Sequence, residues 1–179
     1  MLRLFLAIHP PLPMVDSLLS LLDPLTLPKH RRTRPEQTHL TVLYLGARSG
    51  YELPDVIESA RAACAGVAPF SLRPVALTAL PERGRKRTVV VECDRPAGLR
   101  ELHDRFVRRF ARDENPRRRE RFLPHLTIAR FPGSGAECTL RAPLSLGAFP
   151  VDAIRLLSSE LKPAGAVHSE IERIDLDAN

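Results

Sequence analysis

With 179 residues, 44% of them hydrophobic, the chain carries enough apolar mass to bury a core without disulfide or metal staples. Its formal charge is +6, and because Lys29, Lys86 and Lys162 are the only lysines, 24 of the 27 basic side chains are arginines, whose planar fork suits phosphate. That bias fits a polyanionic partner such as nucleic acid or, equally, an arginine-favouring genome; the three scattered cysteines form no CxxC pair, which disfavours a disulfide scaffold or zinc knuckle and fits a reducing cytoplasm.

The opening MLRLFLAIHPPLP has a short apolar run before its prolines and no small-residue cleavage site, so no leader is expected. No stretch approaches the ~18 apolar residues of a membrane span. Arg3 to Ile8 reads as a buried strand closed by His-Pro-Pro. Leu12, Val15, Leu18, Leu19 and Leu22 follow at helical spacing, and Pro24 ends that helix. The basic loop KHRRTR (29–34) leads into a strand containing His39, and a second helix starts near Pro54. From Arg87 the order recurs: an apolar strand, a proline turn, an amphipathic helix (Leu99, Leu102, Phe106, Val107, Phe110), the basic stretch NPRRRER (115–121) and a strand containing His125. PFSLRPVAL (69–77) and FPVDAIRLL (149–157) each add strand text after the histidine unit. The chain therefore reads as one domain, residues 1–179, of two similar interleaved halves, with approximate repeats over 3–80 and 87–160.

Both histidine strands carry the same text, His39-Leu40-Thr41-Val42 and His125-Leu126-Thr127-Ile128. Side chains alternate along a strand, so each histidine shares a face with its threonine, opposite the aliphatic pair. By the same alternation Leu43 joins the His39 face, and Tyr44 falls on the other. One copy is commonly incidental; two copies at matching places in two halves are not explained by strand preference. An imidazole titrates near pH ~6.5 and serves as acid or base, so two of them flanking one phosphorus can move protons at both ends of a displacement without a metal or cofactor. Threonine hydroxyls can hold the phosphoryl oxygens.

At these motifs the sequence resembles the 2H phosphoesterase superfamily, and within it the LigT-like RNA 2′,3′-cyclic phosphodiesterases, also called 2′-5′ RNA ligases. The likeness spans almost the whole chain, from RLFLAI to VDAIRLLSSELKPAGAVHSEIERIDL. It implies an α+β, bilobal LigT-like fold: two pseudo-twofold-related halves with antiparallel sheets lining a central cleft and helices outside. It also implies hydrolysis of an RNA-terminal 2′,3′-cyclic phosphate to a 2′-phosphomonoester. His39 and His125 would be the acid/base pair, with His125 as the base, and Thr41 and Thr127 the phosphate holders. Arg130 matches an arginine common in the second motif, although strict alternation turns it away from His125 unless the strand bulges. Tyr44 stands where an aromatic is frequent, either stacking a base or, the commoner fate, packing in the core. At His9 many relatives carry an acid. The same site admits 2′-5′ cleavage or ATP-independent 2′-5′ ligation, and a non-catalytic, arginine-coated RNA binder is the contrasting class.

Other candidates are weaker. His30, His103 and His168 lack a partner motif and are expected on the surface or in loops. There is no HExxH, no phosphate-cradling loop at 133–135 and no G-x-S-x-G elbow. KHRRTR, RGRKR (83–87) and NPRRRER are expected to bracket the cleft mouth and draw in RNA phosphates. With no tryptophan and two tyrosines, short or terminal RNA segments fit better than long tracts. A bilobal chain that closes its own cleft is expected to be a monomer.

Overall fold

A computed structural model of the chain describes residues 1–110, 122–162 and 165–177. The expected elements form in the expected order. In the first half these are β1 (Leu2–Ile8), α1 (Leu12–Ser20), β2 (Arg31–Arg32), a short turn of helix at Pro35–Gln37, β3 (Leu40–Arg48), α2 (Leu53–Cys64), β4 (Phe70–Leu72) and β5 (Pro74–Leu80). The second half supplies β6 (Thr88–Cys93), α3 (Ala97–Phe110), β7 (His125–Arg130), β8 (Arg141–Pro143), β9 (Phe149–Val151), β10 (Ala153–Lys162) and β11 (Gly165–Asp175). Both α1 and α2 carry proline in the first turn, where a missing N–H costs nothing. α1 buries Val15, Leu18 and Leu19, and α3 buries Leu99, Leu102, Phe106 and Val107 together with His103.

One antiparallel sheet runs through the molecule in the order β11-β10-β1-β3-β7-β6-β5-β8, rather than two separate sheets, and β4 pairs with β9 apart from it. β3 and β7, the two histidine strands, meet at its centre through the single pair Leu40↔Leu126, with β2 laid along β7. The strands that follow each histidine unit change sides. β5 pairs with β6, on the β7 side of the centre, whereas β10 returns to pair with β1, on the β3 side. One side of the sheet (β11-β10-β1-β3) is thus built from strands within residues 2–48 and 153–175, and the other (β7-β6-β5-β8) from strands within residues 74–143.

The two faces of β1 separate core from cleft. Leu4, Leu6 and Ile8 join the main core with Val15 and Leu18 of α1 and Leu99, Leu102 and Phe106 of α3. Phe5 and Ala7 face the other way and form a small buried cluster with Leu157 of β10, the floor of the cleft. Near-continuous burial along β1 explains why its sequence is an unbroken apolar run and does not alternate.

RGRKR departs from expectation. Lys86 Nζ donates to the carbonyls of Pro81 (2.8 Å) and Glu82 (2.6 Å), Arg85 to that of Gly135 (2.6 Å) and Arg87 to that of Gly133 (2.6 Å). These cations satisfy loop carbonyls, and none of 83–87 lines the cleft. Gly135 has φ +86°, and a Cβ there would sit 2.4 Å from the Lys86 carbonyl, so only glycine permits this closure. NPRRRER lies outside the described residues.

Candidate active site where the two histidine strands meet

His39, Thr41, His125 and Thr127 line one cavity of about 780 Å³, a size that accommodates a nucleotide. The register at Leu40↔Leu126 explains the convergence. Stepping outward along antiparallel strands places Thr41 towards His125 and His39 towards Thr127, all on the face opposite the two buried leucines. His39 and His125 are then diagonal neighbours, with side chains springing from points ~7–8 Å apart, a span that a tetrahedral phosphorus fills.

Both rings are oriented by the same device. His39 Nδ1 lies 2.8 Å from the Gln37 carbonyl, and His125 Nδ1 lies 2.8 Å from the Leu123 carbonyl. A carbonyl can only accept, so each Nδ1 carries the hydrogen and each neutral ring keeps its lone pair on Nε2.

A β-bulge follows each motif at the same place. The β1–β3 register steps from Ala7↔Thr41 to Leu6↔Leu43, skipping Val42. The β6–β7 register steps from Val90↔Thr127 to Val89↔Ala129, skipping Ile128. Each extra residue reverses the alternation of the side chains after it. Leu43 therefore turns to the core opposite Leu6, and Tyr44 turns to the cleft opposite Phe5, which corrects both assignments made from strict alternation. Tyr44 is 68% exposed and lines the cavity, with its ring 5.6 Å from that of Phe5, so it is not a core residue. Arg130, equally five residues past its histidine, is brought to the cleft opposite Thr88 by the bulge its placement required.

Three features were missed. His168, expected on the surface, stands on β11 with its ring 5.1 Å from that of His39 and 5.0 Å from that of Phe5. His9, just past β1, lies 5.7 Å from His39 between ring centroids. Gln37 joins the loop before β3 to β11 through Nε2, which donates to the Ala166 carbonyl at 2.7 Å. Periodicity contains no signal that β11 folds back along β10 and carries His168 to the cleft. His103 also corrects its expected place: it is buried in α3, stacked on Phe122 at 4.2 Å. His30 stays in a loop against the Pro28 carbonyl.

Among the described residues the cavity lining includes Arg3, Arg31, Arg32, Arg34 and Arg130 and no aspartate or glutamate. Of the basic stretches, KHRRTR therefore does reach the cleft. Within this field burial pushes the His39 pKa down to about 4, against the Gln37 carbonyl and aided by His168, His9 and Arg130. Burial and the Arg155 guanidinium take His9 to about 4 as well, and burial lowers His168. Burial, with two neighbouring imidazoles and Arg130 also opposing a proton, keeps His39 neutral at pH 7. Burial also pushes the Cys64 and Cys93 thiols up to about 12, which leaves them inert as nucleophiles. Among the described residues no three His, Cys, Asp or Glu side chains are arranged to hold a metal ion, and no helix is long and apolar enough to cross a membrane.

An α+β chain whose large antiparallel sheet brings two H-x-T strands together over an arginine-lined cavity has the architecture of the 2H phosphoesterases. The model of the 2′-5′ RNA ligase superfamily matches residues 15–163, and the chain belongs to that family. It is 31% identical over 153 residues to the RNA 2′,3′-cyclic phosphodiesterase of Thermus thermophilus, covering 79% of this chain and 73% of that relative. A crystal structure of a Thermus thermophilus protein superposes with a TM-score of 0.85 at 28% identity, covering 97% of each chain. E. coli LigT in complex with 3′-AMP shares the fold, with a TM-score of 0.76 at 21% identity over 98% of each chain.

Proposed function

We propose that the chain hydrolyses RNA-terminal 2′,3′-cyclic phosphates to 2′-phosphomonoesters with its two histidines and without a metal. The observation that carries this reading is the placement of both H-x-T motifs on one cavity, flanking the pair Leu40↔Leu126. The family of the chain and the activity printed for its Thermus thermophilus relative support it.

Water attacks phosphorus as one imidazole Nε2 takes its proton; the P–O3′ bond breaks, and the other imidazolium gives a proton to the departing ribose O3′. The threonine hydroxyls and Arg130 hold the non-bridging oxygens, where negative charge grows. The family resemblance makes His125 the base. The surroundings favour the reverse, because burial holds the His39 ring in the unprotonated form that a base must have at the start of the reaction. Across the β6–β7 ladder Glu92 is the register partner of His125, so a carboxylate rather than a ring cluster stands on that side. We therefore assign His39 as base and His125 as acid. The apolar floor of Phe5 and the exposed ring of Tyr44 give a terminal nucleobase a surface to lie on.

Joining RNA ends through a 2′-5′ bond is a second reading, supported by the family to which the chain belongs. Oligonucleotides ending in a 2′,3′-cyclic phosphate and oligonucleotides with a 2′-5′ linkage, each incubated in EDTA, separate the outcomes. A 2′-monophosphate product from the former, lost in the His39→Ala, His125→Ala variant, is the expected result. Full activity in that variant, or salt-sensitive RNA binding without turnover, ends the reading.

A further inference from the structure

His39 is gripped from a strand that the chemistry itself does not require. β11 is an edge strand, two strands removed from β1. From it the His168 ring reaches over the floor of the cleft and meets Phe5 edge-on at 5.0 Å and 80°, and His39 edge-on at 5.1 Å and 79°. Phe5 and His39 are themselves 5.1 Å apart, so the three rings close a triangle. Two residues earlier on β11, the Ala166 carbonyl accepts the Gln37 side chain, and the Gln37 carbonyl in turn accepts His39 Nδ1–H. β11 therefore bears on His39 from two sides: directly through His168, and through the peptide that fixes its tautomer.

The second motif is built differently. Leu123 occupies the place of Gln37, two residues before its histidine, and has no side-chain donor with which to anchor the carbonyl that accepts His125 Nδ1–H. Among the described residues, the orientation of His39 is thus tied to a distant strand through hydrogen-bond and ring contacts that have no counterpart at His125.

We propose that His168 and Gln37 are positioning residues for His39, so that the β10–β11 hairpin sets the orientation and tautomer of one of the two reacting imidazoles. The proposal rests on the cyclic phosphodiesterase reading for its kinetic consequences, although the grip itself can be read without turnover. Edge-to-face ring contacts restrict rotation of the imidazole, and a small misalignment of a proton acceptor is costly in rate. The titratable and charged groups facing His39 are His168 on β11, His9 after β1 and Arg130 on β7, each of which opposes a proton on it. Facing His168 is Arg130. Removing the His168 ring admits water and deletes one of these neighbours. Both effects move the acid limb of the rate profile to higher pH.

The test uses the full chain with His168→Ala, His168→Phe and Gln37→Leu. His168→Ala lowers kcat by about tenfold with KM held within about twofold, because orientation and not affinity is lost. His168→Phe, which keeps a ring against Phe5 and His39, restores most of kcat. Gln37→Leu lowers kcat by about fivefold, and the His168→Ala, Gln37→Leu combination falls well short of the product, since both act on one ring. Nitrogen-15 spectra of the imidazoles read the tautomer without substrate: His39 is protonated at Nδ1 in the parent, and becomes a mixture in His168→Ala and in Gln37→Leu. If the parent fails to turn over any cyclic phosphate while the His39 spectrum still responds to both variants, the reaction is misassigned and the grip stands. If kcat, the acid limb and the His39 spectrum are unchanged in folded His168→Ala and Gln37→Leu, the proposal is overturned. Should His168→Ala not fold, Gln37→Leu decides, because it leaves the accepting backbone carbonyl in place.

Discussion

The two histidine strands are alike in backbone and opposite in surroundings. Each sets a histidine and a threonine on the cleft, bulges at the third residue past the histidine and delivers the fifth to the cleft. Across the ladder from β3 stand Phe5 and Ala7, with His9 next in line; across from β7 stand Thr88, Val90 and Glu92. The duplicated frame therefore presents Tyr44 over phenylalanine in one half and Arg130 beside threonine in the other. One imidazole lies among rings and potential cations, and the other lies across from a carboxylate. A similar backbone frame brings two identical groups to one cavity, and their neighbours across the ladder differ, which on the proposed reading suits the two to different roles.

The largest effect expected is loss of either imidazole. His39→Ala and His125→Ala each lower kcat/KM by on the order of 10²-fold or more, and the double variant does not multiply the two losses; steady-state rates on a 2′,3′-cyclic nucleotide check this. Phe5→Ala breaks the first half at its floor and costs ~3–5 kcal/mol of stability, read by urea unfolding, with no counterpart for Thr88→Ala in the second half. Arg130→Gln raises KM by about tenfold and flattens the salt dependence of binding, whereas Arg85→Ala leaves KM unchanged because its guanidinium is engaged with the Gly135 carbonyl.

A smaller effect sharpens the comparison most. His9→Glu gives His39 the kind of neighbour that His125 has, so the His39 pKa rises and the acid limb of kcat/KM moves to higher pH by about one unit. Stability depends on the same groups. His9 and His39 titrate at about 4 when folded, so their contribution is complete above about pH 6.5 and is lost as pH falls towards about 4; His168 is lowered too and adds in the same direction. The parent's urea midpoint should drop over that window, and His9→Asn should lessen the drop.

Much of this was legible in residue order. Apolar runs and helical spacing placed β1, α1, β3, β6, α3 and β7, because burial on one face leaves a periodic trace. The paired H-x-T text pointed to the cavity because a period of two fixes which side chains travel together. The bulges were not legible: Val42 and Ile128 are ordinary strand residues, and only the partner strand's register reveals that each is extra. That is why strict alternation sends Tyr44 to the core and attaches a condition to Arg130. His168 was hidden for a different reason, since a residue on the last strand meets His39 only through long-range pairing of β11, β10 and β1. RGRKR was misjudged because charge composition does not reveal that backbone carbonyls will claim the cations.

The central claim is that both rings act on one phosphate, and titrating a nucleoside 2′-monophosphate into nitrogen-15-labelled protein in EDTA tests it most directly. The account predicts that the Nε2 resonances of His39 and His125 shift together, with one shared midpoint. A shift confined to one ring, or two unrelated midpoints, would contradict it.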